Sequence, residues 1–138
     1  MSEEGFLTPE AHQYLLEVGF LGKGVVVAVY LGLSKRSSAQ PPTLSELRAR
    51  EPKNENYKRQ AIAAGDWRLN KDGIVSKTLR FSNFSDTDWP LVDLWFLTTS
   101  PDEGGMLLAW GPLRAPRQLM RAGDELFTPA AIGFGKHG

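Results

Sequence analysis

The run Leu91–Thr98 constrains the fold more than any other part of the sequence, because it is apolar on both faces of an extended strand. Side chains alternate between the two faces of a strand, so one face carries Val92, Leu94 and Phe96 and the other carries Leu91, Trp95 and Leu97. The acidic turn Ser100–Gly105 follows, then the apolar return strand Met106–Gly111. Glycine pairs provide the positive φ that hairpin turns need, so this stretch predicts an antiparallel hairpin. The first strand is either central in a two-layer structure or turns its second face to another subunit.

Short strands separated by turn signals are predicted along most of the remaining chain. Pro112 and Pro116 are expected to bend the chain after the hairpin. Turns are expected at Gly65–Asp66 and at Lys71–Gly73, with the polar residues 68–70 between them. Such a pattern is typical of an antiparallel β-sandwich or jelly-roll-like domain, so the expected fold class is mainly β. The further predicted strands are Val25–Leu33, Tyr57–Ala63, Ile74–Phe81, Leu119–Arg121, Glu125–Thr128 and Ala131–Phe134.

Two short helices are predicted beside the strands. Thr8, Pro9 and Glu10 form a helix-start signature, and a short helix is expected from there to about Gly19. In the long polar connection 34–56, the sequence from Thr43 to Glu46 matches a capping box and predicts a helix from Leu44 to about Arg50. The expected organisation is an N-terminal arm and short helix over residues 1–24, with 1–7 flexible. A β-sandwich domain is expected over residues 25–134, followed by a tail over residues 135–138.

The composition makes several partners and compartments improbable. The chain has 16 basic and 16 acidic side chains, so it lacks the net positive field that nucleic-acid binding usually needs. Gly24–Ser34 is the most apolar stretch, about half the length required to span a bilayer. The N-terminus lacks the layout of a secretory signal, and the chain has no cysteine. We therefore expect a soluble protein folded in a cytoplasm, with no membrane or nucleic-acid partner.

No residue set in the sequence predicts catalysis, a metal or a cofactor. His12 and His137 are the only histidines, and they lie at opposite ends of the chain. Asp86 and Asp88 lack the remaining ligands of a calcium loop, so we expect a turn in which Asp88 holds the start of the next strand. The glycines of 19–24 have neither of the usual phosphate-loop spacings. The expectation is a protein that is not an enzyme.

From Val29 onwards the chain resembles a family of small tailed-bacteriophage virion proteins, often labelled tail-fibre or minor structural proteins. The resemblance covers roughly residues 28–134 and implies a compact β-sandwich that is part of the particle. Proteins of this size that coat the capsid usually sit as trimers on the head shell and clamp neighbouring capsid subunits, and residues 1–24 are extra relative to the family. The matching pieces are Val29–Leu33, Tyr57–Ile62, Leu79–Phe84, Asp88–Trp89, Gly104–Leu108, Trp110–Leu113 and Ala122–Asp124 followed by Phe127.

The resemblance favours a capsid decoration (cement) protein, a homotrimer located on the virion and assembled in the host cytoplasm, whose partner is the major capsid protein. The alternatives are a tail or tail-fibre component, with tail proteins as partners, and a carbohydrate-binding module that uses Trp67 and Trp89 beside turns. The basic side chains of the connection are interpreted as a clamp onto an acidic capsid surface or as a solvated loop. The candidate subunit or capsid contacts are Phe6, Tyr14, Leu15, Phe20, Lys35, Arg36, Arg48, Arg50 and Trp95.

Overall fold

The fold is mainly β, as predicted, and its sheets are antiparallel. It is seen in a computed structural model that describes residues 6–7, 29–36, 42–70, 73–102 and 105–133. A five-stranded sheet has the order β1-β8-β7-β2-β3, a three-stranded sheet the order β10-β5-β4, and β6 pairs with β9 as a two-stranded ribbon. The strands are β1 Phe6–Leu7, β2 Val29–Ser34, β3 Gln60–Ile62, β4 Trp67–Asn70, β5 Gly73–Ser76, β6 Leu79–Asn83, β7 Val92–Thr98, β8 Leu107–Arg117, β9 Asp124–Thr128 and β10 Ala131–Gly133.

The strand β7 is the centre of the five-stranded sheet, with β2 on one side and β8 on the other. Trp95 and Leu97 belong to the main core, which also takes buried side chains from the ribbon and the three-stranded sheet. Leu94 and Phe96 belong to a second, smaller core on the opposite face. We call these the inner and outer faces of the five-stranded sheet. Both faces are covered by this chain, which decides between the two possibilities that the sequence left open.

An irregularity near the start of β7 moves one side chain to the other face. Val92 pairs with Arg117, but Leu94 pairs with Pro112, so the register with β8 shifts between them. Alternation predicts Val92 on the face of Leu94, whereas Val92 packs in the main core with Trp95. A β-bulge changes the direction of side chains in this way. Leu91, which alternation places with Trp95, is 41% exposed.

Several predicted strand limits are wrong. The predicted strand Ile74–Phe81 is two strands, β5 and β6, which belong to different sheets. No strand was predicted for residues 67–70, which form β4, and β5 begins at Gly73, the last residue of the second predicted turn. Leu119–Arg121 is not a strand, although Leu119 is fully buried in the main core. The strand β8 continues through both Pro112 and Pro116, where its pairing with β7 is irregular.

The helix of the long connection agrees with its prediction. The helix α1 covers Leu44–Ala49, and Thr43 caps it with a complete capping box to Glu46. The other predicted helix, from Thr8 to about Gly19, lies outside the described residues. The expectation that residues 1–7 form a flexible arm is wrong at Phe6–Leu7, whose backbone pairs with β8 opposite Trp110 and Ala109. The domain limits at residues 24, 25 and 134 stay predictions.

Candidate contact surfaces

The outer face of the five-stranded sheet is closed by residues 42–59, which we call the covering segment. Leu47 of α1 is buried in the smaller core with Leu94, Phe96 and Leu107. The hydroxyl of Ser34, at the end of β2, donates to the carbonyl of Leu47 over 2.7 Å. The helix therefore lies on the sheet through both apolar contacts and a buried hydrogen bond.

A buried ion pair holds the rest of the covering segment. Arg59 Nε donates to Glu51 Oε2 over 2.8 Å and Arg59 Nη2 donates to Glu51 Oε1 over 2.9 Å, a bidentate geometry. The two side chains are 3% and 11% exposed. Arg59 Nη1 donates to the carbonyls of Ser100 and Asp102 in the β7–β8 turn, and the guanidinium lies 5.1 Å from the centre of the Phe96 ring. Burial lowers and the Glu51 carboxylate raises the pKa of Arg59, and the net change is upward.

Tyr57 completes this network from the side of the main core. Its hydroxyl donates to Glu51 Oε2 over 2.5 Å and accepts from the backbone N–H of Leu33 over 2.9 Å. The strand β3 pairs with β2 only as far as Leu31, so Tyr57 supplies the partner that the Leu33 amide lacks beyond the end of β3. Burial, and then the neighbouring Glu51 carboxylate, raise the pKa of Tyr57 well above its ordinary value.

Gly32 makes room for the network. In the sheet it pairs with Phe96, and a Cβ atom at Gly32 would lie 2.6 Å from the Phe96 ring and 3.0 Å from Glu51 Oε2. Any larger residue therefore requires the ring and the carboxylate to move. Close packing therefore explains why position 32, within the piece Val29–Leu33, is a glycine.

The covering segment and the preceding residues carry an excess of positive charge. Residues 35–59 contain seven of the 16 basic side chains and three of the 16 acidic ones, so the remainder of the chain has an acidic excess of four. Lys35, Arg36, Arg50 and Lys58 are exposed. Two of the three acidic groups are used internally, since Glu51 binds Arg59 and Glu46 caps α1. The exposed charged side chains of these residues are therefore mainly basic, on a chain without net charge.

The β6–β9 ribbon differs from the covering segment because large apolar side chains are exposed on it. Its strands are regular, yet Phe127 is 59% exposed, and Phe84, just beyond β6, is 68% exposed. Ion pairs lie between and beside them: Arg80 lies 3.6 Å from Glu125, and Arg117 lies 3.4 Å from Asp124. Apolar side chains thus reach solvent between charges that already have partners.

Side chains from neighbouring segments bind both edges of the ribbon. Asn56 Nδ2 donates to the carbonyl of Ser82 on β6, and Arg117 Nη2 donates to the carbonyl of Glu125 on β9. Capped edge carbonyls do not accept a further strand readily. One backbone carbonyl on each strand of the ribbon therefore already has a side-chain partner within the chain.

Two turns joined by hydrogen bonds lie beyond the strands of the ribbon, one after β6 and one before β9. They carry the exposed side chains of Phe84 and Met120, and we call these two side chains the apolar knob. Asn83 is fully buried and its amide donates to the carbonyls of Thr87 and Leu119, both over 2.9 Å. Ala122 has a φ of 70°, a left-handed conformation that is uncommon outside glycine. Backbone N–H groups, that of Met120 foremost, lower the pKa of Asp124. A Cβ atom at Gly123 would lie 3.6 Å from the Phe84 ring, so the two turns are packed together.

A cleft of about 480 Å³ lies between the irregular part of β8 and strands β9 and β10, and we call it the ribbon cleft. Trp95, which is 1% exposed, lies at its base. Arg114 and Arg117 are the charged residues of its lining, which is otherwise mainly apolar. Its apolar lining includes Pro112, Leu113, Ala115, Phe127, Pro129 and Ala131.

The structure brings together only part of the predicted contact set. Lys35, Arg36 and Arg50 are exposed, and Arg48 is half-buried beside Glu51 at the edge of a second cleft. Of Phe6 only the backbone is described, and Tyr14, Leu15 and Phe20 lie outside the described residues. The prediction for Trp95 is wrong: its indole is 1% exposed because the inner face of the sheet packs on the two smaller sheets.

The predicted alternative, a sugar-stacking platform on Trp67 and Trp89, is contradicted at Trp89. Trp89 is 1% exposed and its ring packs edge-on against Tyr57 with the ring centres 5.3 Å apart. Trp67 is half-buried against the main core. Asp88, which was expected to hold the start of the next strand, accepts a hydrogen bond from the backbone N–H of Arg121 over 2.8 Å.

The sequence interpretation missed the residues that organise both surfaces. Glu51, Tyr57 and Arg59 lie in an irregular stretch with no periodicity, and only their presence in and beside the resembling piece Tyr57–Ile62 was a signal. Asn83 and Phe84 lie at the end of another such piece. No group of three or more potential metal ligands is found within the described ranges. None of the helices described there is long and apolar enough to cross a membrane.

The chain matches no protein-family model and no curated protein.

Proposed function

We propose that this chain is a structural protein of a tailed-bacteriophage particle that binds the head shell as a capsid decoration protein, as a homotrimer. The resemblance over residues 28–134 supports the particle, and the mainly β fold agrees with what that resemblance implies. The observation that carries the head-shell role is the basic, firmly anchored covering segment. A fixed basic surface on a neutral chain complements an acidic capsid surface.

In this proposal the ion pair and α1 fix the covering segment before binding, so little conformational entropy is lost on the capsid. Exposed groups such as Arg36, Arg50 and Lys58 supply the attraction. Rim charges of this kind act mainly on association rate and salt dependence. Repeated weak contacts over a capsid lattice then add up to strong retention through avidity.

The experiment is to strip purified particles of the protein and add it back at increasing salt. We expect hundreds of copies per particle and weaker rebinding at higher salt. Reversing two basic charges of the covering segment (Arg50→Glu with Lys58→Glu) is expected to reduce rebinding strongly. The matched control reverses two exposed charges elsewhere (Arg68→Glu with Lys77→Glu) and is expected to leave rebinding unchanged. Equal losses in both variants would contradict the basic clamp.

A tail or tail-fibre component is the second candidate, because proteins of the resembling family often carry that label. The same preparation separates the two: a few copies per particle, located at the tail by electron microscopy, would replace the head-shell role with this one. An absence of the protein from particles would reject both.

A further inference from the structure

The strand β4 is an edge of the three-stranded sheet, with β5 paired to it on one side and no described strand on the other. Leu69 is 75% exposed, the largest fraction among the big apolar side chains described. Trp67 lies on the same face of the strand and packs against the main core. An exposed apolar side chain on an edge strand favours pairing with a further strand.

The backbone groups of β4 that point away from β5 can be assigned from its pairing. The N–H of Lys77 donates to the carbonyl of Asp66 over 2.8 Å, immediately before β4 begins. Hydrogen-bonded positions alternate along an antiparallel pair, so Arg68 bonds to β5, whereas Trp67 and Leu69 direct their N–H and C=O groups outward. Within the described ranges these outward groups have no partner. On the ribbon, by contrast, one carbonyl of each strand already has a side-chain partner.

We propose that the open edge of β4 pairs with the same edge of a second copy of this chain, antiparallel and about a two-fold axis at Leu69. The N–H of Leu69 then donates to the Leu69 carbonyl of the other copy and its own carbonyl accepts in return, so the edge is self-complementary. The two Leu69 side chains become direct cross-strand neighbours, an apolar pair that stabilises a sheet. The alternative register, Trp67 opposite Leu69, is disfavoured because it places Arg68 directly opposite Arg68.

The contact has two-fold symmetry, so it does not build the homotrimer of the proposed function. In that setting it joins a subunit of one trimer to a subunit of the next trimer on the head shell. The inference rests on the proposed function only for this setting, because the pairing itself requires nothing more than two copies in solution.

Sedimentation equilibrium of the purified full chain over a concentration series is the first test. We expect the smallest species, monomer or trimer, to associate with itself as the concentration rises. Leu69→Pro removes an N–H that β5 does not use, and it is expected to raise the dissociation constant at least about tenfold because two hydrogen bonds are lost per contact. The control Leu69→Val keeps the N–H and is expected to stay within about threefold of wild type. A mass that never rises, or equal association of both variants, overturns the inference, while rebinding to particles tests the proposed function separately.

Charged substitutions test whether Leu69 lies opposite itself. Leu69→Lys alone and Leu69→Glu alone place like charges opposite each other and are expected not to associate, whereas their equimolar mixture is expected to associate. The same two substitutions at Leu91, which is 41% exposed outside β4, are the control, and each is expected to associate on its own. A mixture of the two Leu69 variants that stays unassociated would contradict the proposed pairing.

The absence of cysteine from the chain permits a direct test of the register. The Cα atoms of a hydrogen-bonded antiparallel pair are about 5.5 Å apart, within disulfide range. Gentle oxidation of Leu69→Cys is therefore expected to give a disulfide-linked dimer. In the same register the two copies of position 68 are diagonal neighbours about 7–8 Å apart, so Arg68→Cys is expected to cross-link poorly. Efficient cross-linking of Arg68→Cys without that of Leu69→Cys would overturn the proposed contact.

Discussion

The covering segment and the β6–β9 ribbon reverse the usual relation between regular structure and burial. The covering segment has one short helix and otherwise irregular backbone, yet it holds a buried ion pair and closes the outer face of the large sheet. The ribbon is two regular paired strands, yet it exposes Phe127 and, just beyond β6, Phe84. Of these two regions, the irregular one is anchored by buried polar groups, and the regular one exposes apolar side chains on its solvent side. Substitutions in the two regions should therefore affect different measurements.

The largest expected effect comes from breaking the buried ion pair. Glu51→Gln leaves the Arg59 guanidinium buried without its counter-charge, which typically costs about 3–5 kcal/mol of unfolding free energy. Equilibrium denaturation in urea measures the change. As the control, Lys77→Ala removes a pair with Asp66 whose side chains are 54% and 28% exposed, and the expected loss is below about 1 kcal/mol. Similar losses for both would mean that the covering segment is not held by this pair.

Gly32→Ala tests whether the network is packed as tightly as its geometry indicates. The added Cβ would meet the Phe96 ring and Glu51, and overpacking of this kind typically costs about 1–3 kcal/mol. Gly65→Ala is the matched control, since a Cβ there meets nothing within 4 Å. We expect the control to have an unfolding free energy within about 0.5 kcal/mol of wild type. Equal tolerance of both substitutions would contradict the close approach of sheet and covering segment.

Tyr57→Phe removes the hydroxyl that joins Leu33 and Glu51. Leaving a buried donor such as the Leu33 N–H unpaired costs about 1–3 kcal/mol. The pKa of Tyr57 is raised in the folded state, so its contribution is complete below the unfolded pKa of about 10 and is lost as the pH rises towards the folded pKa.

Denaturation at pH 9 to 11 provides the measurement. Above about pH 10 the wild type is expected to lose stability more steeply than Tyr57→Phe, by up to about 1.4 kcal/mol per pH unit. The comparison of the two proteins cancels the titration of other groups. Parallel curves would mean that the hydroxyl ionises as readily in the folded protein as in the unfolded chain.

The smallest expected effect on stability comes from the ribbon. Phe127→Ser changes a side chain that is 59% exposed, so its unfolding free energy, extrapolated to the lowest protein concentration, should lie within about 0.5 kcal/mol of wild type. If its effect lies in assembly, sedimentation equilibrium of the proposed homotrimer should show it, because exposed apolar side chains are typical of subunit contacts. A large stability loss at all concentrations would place the ribbon with the covering segment and remove the contrast between them.

Local patterns predicted the elements whose causes are local. The capping box from Thr43 to Glu46 located α1, and the apolar runs around Gly105, whose φ is +82°, located the β7–β8 hairpin. The mainly β fold follows from the same strand and turn signals.

The remaining features depend on contacts between distant residues. The break between β5 and β6 follows from Ser76, which bonds to Ala130, and from Lys77, whose N–H donates to the carbonyl of Asp66. The sequence of Leu91–Thr98 shows two apolar faces but not what covers them, so Trp95 was wrongly expected at a subunit contact. The cover is a mainly polar segment whose two buried charges, Glu51 and Arg59, have no periodic signal.

Hydrogen exchange at low protein concentration tests most directly whether this chain itself covers the outer face of its sheet. The N–H of Leu33, which donates to Tyr57, and the N–H of Leu47, which donates to Thr43 within α1, report on the covering segment. We expect the protection factor of each amide to be independent of protein concentration, including dilutions at which the protein is monomeric. Protection that disappears on dilution would show that another subunit holds the cover in place, and would contradict the account.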